Sequence, residues 1–136
     1  MVYVLDTNIV IRYLRNVPKV RRNVRESAVR GDFLIVPKVV NYEIKRGFSV
    51  LRAPNKETAY SVLTEPAGWC DIAEMDDGSW ERAEQVYAEL YRKGFTIGEL
   101  DILIAAFCLE KEYTLVTNNI KHFENIDGLN IVDWTE

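Results

Sequence analysis

Val2-Tyr3-Val4-Leu5-Asp6-Thr7-Asn8-Ile9-Val10-Ile11-Arg12-Tyr13-Leu14 decides the fold. Val2 to Leu5 is a short apolar run with two β-branched residues, the signature of a buried strand. Asp6-Thr7-Asn8 stops it and suits a helix start, because an Asp side chain accepts from free backbone N–H groups. Ile9, Ile11, Tyr13 and Leu14 then carry an apolar face towards Asn16. The same hand-over from strand to helix repeats along the chain. Pro18 opens a helix to Arg30, with Gly31 as its C-cap. Phe33 to Val36 is a second strand ended by Pro37, followed by a helix from Lys38 to Arg52. Pro54-Asn55 opens another helix through Thr64. Trp69 to Ala73 is a third strand, and a helix from Trp80 to Lys93 ends at Gly94. Gly98 precedes a helix from Glu99 to Glu112. Tyr113 to Thr117 is a fourth strand, Asn119 to Phe123 a short turn, and Asn130 to Trp134 a last strand. Short apolar strands alternating with helices predict an α/β fold of right-handed βαβ units, with a mostly parallel sheet covered on both faces.

The chain has 136 residues, 48% of them hydrophobic and 28% charged, which predicts one ordinary globular domain over residues 1–136. Its longest apolar stretch, Ile102 to Leu109, is far short of the ~20 residues of a membrane span. The N-terminus has no basic segment and meets an acid at position 6, unlike a secretory signal. Cys70 and Cys108 stand far apart without metal-ligand spacing, as expected of a protein in a reducing cytoplasm. One histidine, His122, leaves little room for Ser-His-Asp chemistry or a His-rich zinc site, and no Gly-rich phosphate loop is present. The net charge of −4 hides an asymmetry. Residues 1–60 hold twelve Lys/Arg against five Asp/Glu, whereas residues 61–136 hold five against sixteen. The first half can therefore present a basic face to a polyanion.

In open α/β sheets, sites form at the carboxyl ends of strands near the switch in strand order. Asp6 ends the first strand, and Thr117-Asn118-Asn119 ends the fourth. Asp101 sits in the first turn of a helix that is apolar nearly all round, where an unpaired buried carboxylate costs several kcal/mol. Its helix N-terminus supplies only about 0.3–1 kcal/mol, so a metal or catalytic role is expected. Asp6 alone reads as a helix cap, and Glu43 alone as a surface partner of Arg46 at i+3. Together the three acids would repel one another unless cations neutralise them. Oxygen-only ligands suit Mg²⁺ or Mn²⁺, and such a centre suits phosphodiester hydrolysis through an activated water.

These residues occur in an order that resembles PIN-domain ribonucleases, most closely the VapC-type toxins of toxin–antitoxin pairs. The ordered set is Val-Leu-Asp6-Thr7-Asn8, Glu43, Gly98-x-x-Asp101-x-x-Ile-Ala-Ala, Leu-Val-Thr117-Asn-Asn-x-x-His122-Phe123 and Gly128-Leu-x-Ile-Val-Asp-Trp134. It spans positions 2 to 134. The resemblance implies a three-layer α/β/α fold with a five-stranded parallel sheet, and Mg²⁺- or Mn²⁺-dependent endonuclease activity on RNA, often a tRNA. It also implies a homodimer and a cognate antitoxin. By position, Asp6, Glu43 and Asp101 match the metal-binding and catalytic acids. Thr7, Asn8 and Thr117 match polar positions that hold the acids or their waters. Asn119 stands where many PIN domains carry a fourth acid; it keeps an oxygen ligand and loses a charge, so a second ion would bind weakly. Glu99 is a substitute that faces elsewhere on its helix.

Lys38, Lys45 and Arg46, on the helix with Glu43, are the expected RNA contacts, and Lys19, Arg21, Arg22 and Arg25 fall within two turns of another helix. Trp80, Tyr87 and Tyr91 form a helical stripe, read as core or dimer face. His122 reads as a structural donor. The rival to an enzyme is a catalytically weak PIN-fold module that binds RNA or protein. Loss of Asp6 or Asp101 would mark it, and both are present.

Overall fold

The computed structural model describes residues 1–136. Five strands form one sheet in the order β3-β2-β1-β4-β5, and every pairing is parallel. In chain order the elements are β1 (Val2–Leu5), α1 (Thr7–Leu14), α2 (Pro18–Arg30), β2 (Phe33–Pro37), α3 (Lys38–Val50) and α4 (Pro54–Thr64). They continue with β3 (Cys70–Ala73), α5 (Asp77–Lys93), α6 (Glu99–Lys111), β4 (Thr114–Val116), α7 (Ile120–Phe123) and β5 (Ile131–Val132). The result is the three-layer α/β/α architecture with a five-stranded parallel sheet that the family resemblance implies, and the alternation of strands and helices predicts its α/β class.

The chain builds outward from the central β1 through β2 to β3, then crosses back to β4 and β5. The strand order therefore reverses between β1 and β4, which leaves a crevice at their carboxyl ends. Val4 and Leu5 of β1, Leu34 and Val36 of β2 and Leu115 and Val116 of β4 are all fully buried beneath it. Gly31 and Gly94 end α2 and α5 with φ of 92° and 80°, a backbone region in which a side chain is strained.

Several boundaries differ from the sequence expectation. Helix α5 begins three residues early because Asp76 caps it, accepting from the Ser79 N–H at 2.9 Å and the Ser79 hydroxyl at 2.8 Å. Pro37 is the last residue of β2 as well as the cap of α3. Trp69 lies outside β3, and β5 keeps only Ile131 and Val132. The segment expected as a turn after Asn119 contains one short helix, α7. The helix α6 is buried nearly all round from Ile102 to Cys108, but its first turn is not. Asp101 keeps 24% of its side chain exposed. The desolvation cost assigned to Asp101 from the apolar run therefore falls elsewhere.

Candidate active site

It falls on Asp6, which is 3% exposed. Its N–H continues the ladder to β4 by donating to the Val116 carbonyl at 3.0 Å. The chain then turns into α1 with Asp6 as the N-cap, and Oδ1 accepts from the Thr7 N–H at 2.8 Å. The capping role and a site role thus coexist in one side chain. Oδ2 accepts from the Thr117 hydroxyl at 2.8 Å and from the Asn8 amide at 2.9 Å. The Asn8 carbonyl oxygen accepts from the Asn118 N–H at 3.1 Å. Thr117, wholly buried just after β4, also accepts from the Asn119 N–H at 3.0 Å. These bonds stitch the ends of β1 and β4 together across the switch in strand order.

Glu43 comes from α3 and accepts the Thr7 hydroxyl at 2.8 Å. It makes no ion pair with Arg46, whose guanidinium lies over the Tyr42 ring at 5.1 Å instead. Asp101 comes from the first turn of α6, with Oδ2 3.1 Å from His122 Nδ1. Little in the sequence marks that contact, because the two residues sit 21 positions apart on either side of β4. A lone His three residues after Asn119 was its only trace. Asn119 is exposed, and its side chain makes no hydrogen bond. Glu99 lines a hollow with Trp80 and Tyr87.

The electrostatics single out Asp6. Burial is the largest influence and raises its pKa above the ordinary carboxylate value. The bonds from Thr117 and the Thr7 N–H act the other way, and the charges of Asp101 and Glu43 push it up again. The same buried charge adds to desolvation in pushing the Cys108 thiol far up. Neither Asp6 nor Glu43 has a basic partner. A buried Asp6 that feels the charges of Asp101 and Glu43 without a basic partner of its own has the hard oxygen chemistry of a Mg²⁺ or Mn²⁺ site. No three His, Cys, Asp or Glu side chains already close on a single point. Mg²⁺ does not require that, since it keeps several waters and takes one or two carboxylates plus substrate phosphate.

The profile of the PIN domain matches residues 3–129. The chain belongs to the PIN-domain family. Among PIN-domain relatives, it is 31% identical over 134 residues to Ribonuclease VapC2 of Rickettsia felis, with 98% of each chain covered. It is 29% identical over 133 residues to the tRNA(fMet)-specific endonuclease VapC of Shigella flexneri, again with 98% of each covered. VapBC2 from Rickettsia felis, solved bound to a promoter DNA fragment, superposes with a TM-score of 0.84 and 30% identity over 98% of this chain and 99% of that one. VapBC-1 from nontypeable Haemophilus influenzae gives 0.85 and 27% identity over the full length of both. The chain is a VapC-type PIN-domain endoribonuclease. Divalent-metal dependence is general among PIN-domain nucleases.

The basic residues expected to meet RNA have different fates in this PIN domain. Lys38 pairs loosely with Glu74 at 3.9 Å, and Lys45 stays exposed near Phe48 and Arg52. The α5 stripe is not core: Trp80 is 51%, Tyr87 51% and Tyr91 70% exposed. No helix is long and apolar enough to cross a membrane.

Proposed function

We propose that residues 1–136 form a single PIN-like nuclease domain that cleaves tRNA or another structured RNA as the toxin of a toxin–antitoxin pair. The observation that carries this reading is Asp6, a buried carboxylate pressed by two others and satisfied only by hydrogen-bond donors. Asp6, Glu43 and Asp101 hold Mg²⁺ or Mn²⁺ and are the catalytic acids, with Asn119 as a weaker oxygen donor. A divalent ion held by these residues would supply an activated water and neutralise charge on the phosphodiester. Thr117, Asn8 and the Thr7 N–H fix the Asp6 carboxylate in one orientation, and the Thr7 hydroxyl does the same for Glu43. Water oxygen attacks phosphorus in line, the P–O3′ bond breaks, and the products carry a 5′-phosphate and a 3′-hydroxyl. Lys38, Lys45 and Arg46 on the Glu43 helix contact backbone phosphates.

The partner is a cognate antitoxin, as in the VapBC complexes that share this fold. The exposed aromatic stripe of α5 supports a homodimer face. The free, buried cysteines fit the cytoplasm, where thiols stay reduced.

The test is cleavage of a tRNA pool by the purified chain in EDTA, with Mg²⁺ or Mn²⁺ restored, beside Asp6→Asn. Cleavage is expected only in the metal-restored parent. Cleavage that persists in EDTA, or in Asp6→Asn at the parent rate, refutes the metal assignment. A parent that binds RNA and cleaves none under any condition is the catalytically weak module.

A further inference from the structure

A cavity of about 370 Å³ lies away from the acids, lined by Tyr13, Pro18, Arg21, Arg22, Arg25 and Trp69. Tyr13 is near the far end of α1, whose first residue adjoins Asp6; six residues of helix put them about 9 Å apart along the axis. Three arginines line it, no carboxylate does, and none of the three arginines is in an ion pair. Arg21 and Arg25 sit one turn apart on α2, where like charges destabilise a helix. No side chain lining the cavity neutralises the cluster, and an anion would.

Arg21 is already fixed. Its Nε–H donates to the Tyr13 carbonyl at 2.9 Å, and its guanidinium lies 4.0 Å from the Tyr13 ring centre. That geometry leaves its two terminal nitrogens free to donate in a set direction. Trp69, 44% exposed, supplies an indole face that no aromatic neighbour covers. Fixed guanidiniums beside an open indole match a phosphate joined to a planar base, since single-stranded nucleic acid is held by charge and stacking together.

We infer that this cavity holds one unpaired nucleotide of the RNA substrate, its phosphate on Arg21, Arg22 and Arg25 and its base on Trp69. The site rests on the endoribonuclease reading and adds a grip on the strand away from the acids. An acidic peptide would satisfy the arginines but bring nothing planar to the indole.

The probe is a fluorescein-labelled uridine octanucleotide, titrated by anisotropy over a salt series in EDTA, which keeps the strand whole. Arg22→Ala/Arg25→Ala should weaken binding and flatten the log–log salt slope by about 0.7 per lost phosphate contact. Trp69→Ala should weaken binding about 5- to 150-fold, the span of one lost base stack, with the slope unchanged. Trp69→Phe should restore most of it. All three residues are exposed, so the variants keep the parent unfolding curve. Unchanged slope and affinity in both Ala variants, in a parent that still cleaves RNA with Mg²⁺, overturn the site and leave the enzyme reading intact. A parent that neither binds the octanucleotide nor cleaves RNA overturns both. A polyglutamate peptide that binds the parent at least as tightly as the octanucleotide, and is lost in the arginine variant, overturns the nucleotide in favour of an acidic protein partner.

Discussion

Thr117→Val tests the link between the two strand ends. Thr117 is fully buried, and Val keeps its shape while removing the hydroxyl. The main loss is the 2.8 Å bond to Asp6 Oδ2, and hydrogen bonds to charged groups contribute about 1.5–3 kcal/mol. The Asn119 N–H also loses its acceptor, but Asn119 is exposed and water replaces it. Burying a methyl group in place of the hydroxyl returns roughly 0.8 kcal/mol. The net destabilisation is therefore about 1–2 kcal/mol near neutral pH. Its pH dependence follows from the charge on Asp6. Burial already raises the folded pKa of Asp6, and the Thr117 bond is the largest influence holding it down. Removing that bond raises the folded value further. A carboxyl with a raised folded pKa contributes stability that is complete below its unfolded value, about 3.9, and is lost as pH rises through the folded value. The variant has more to lose, so the difference is greatest at neutral pH and shrinks as pH falls through the two folded values. Urea unfolding of both proteins in EDTA, from about pH 4 to about pH 8, measures it. A difference that is flat with pH, or larger in acid, refutes the argument that Thr117 supports the ionised form of Asp6.

Two further predictions concern the other site residues. Asp101→Asn should keep the unfolding midpoint near the parent value, since Asp101 is partly exposed, and reduce RNA cleavage at least about 100-fold, because several kcal/mol of metal-derived stabilisation go with the charge. Cleavage at the parent rate would remove Asp101 from the ligand set. Asn119→Asp adds the missing charge and should tighten Mn²⁺ binding in the RNA-free protein, read by calorimetric titration. Unchanged affinity and stoichiometry would mean that position 119 does not reach the ion.

The alternation of strands and helices was legible because most strands are short apolar runs with Pro, Gly or Asp near an end, and local chemistry sets those boundaries. Gly31, Gly94 and Pro18 act where their backbone preferences predict. Asp101 shows the limit. An apolar run says that a helix is buried but not which end projects, and here the first turn emerges. Asp6 was the reverse case: its local sequence read as a cap, and its burial depends on β4 lying alongside β1. The contact between His122 and Asp101 and the meeting of Trp69 with the α2 arginines are likewise tertiary. No periodicity records them. The α5 aromatics had the right spacing for a face, but spacing alone does not say whether anything packs on it.

The bond between Asp6 and Thr117 joins residues 111 positions apart. Ribosomes release a chain N-terminus first, and contacts of such separation form late. While the chain is being made, β1 emerges with its acid already in place but without the strand that orients it. Asp101 follows only after three-quarters of the chain, and Thr117 later still. A growing chain therefore lacks the assembled proposed centre beside the very RNAs that are translating it. The order of strands acts as a delay, so the proposed centre closes only after β4 has been made.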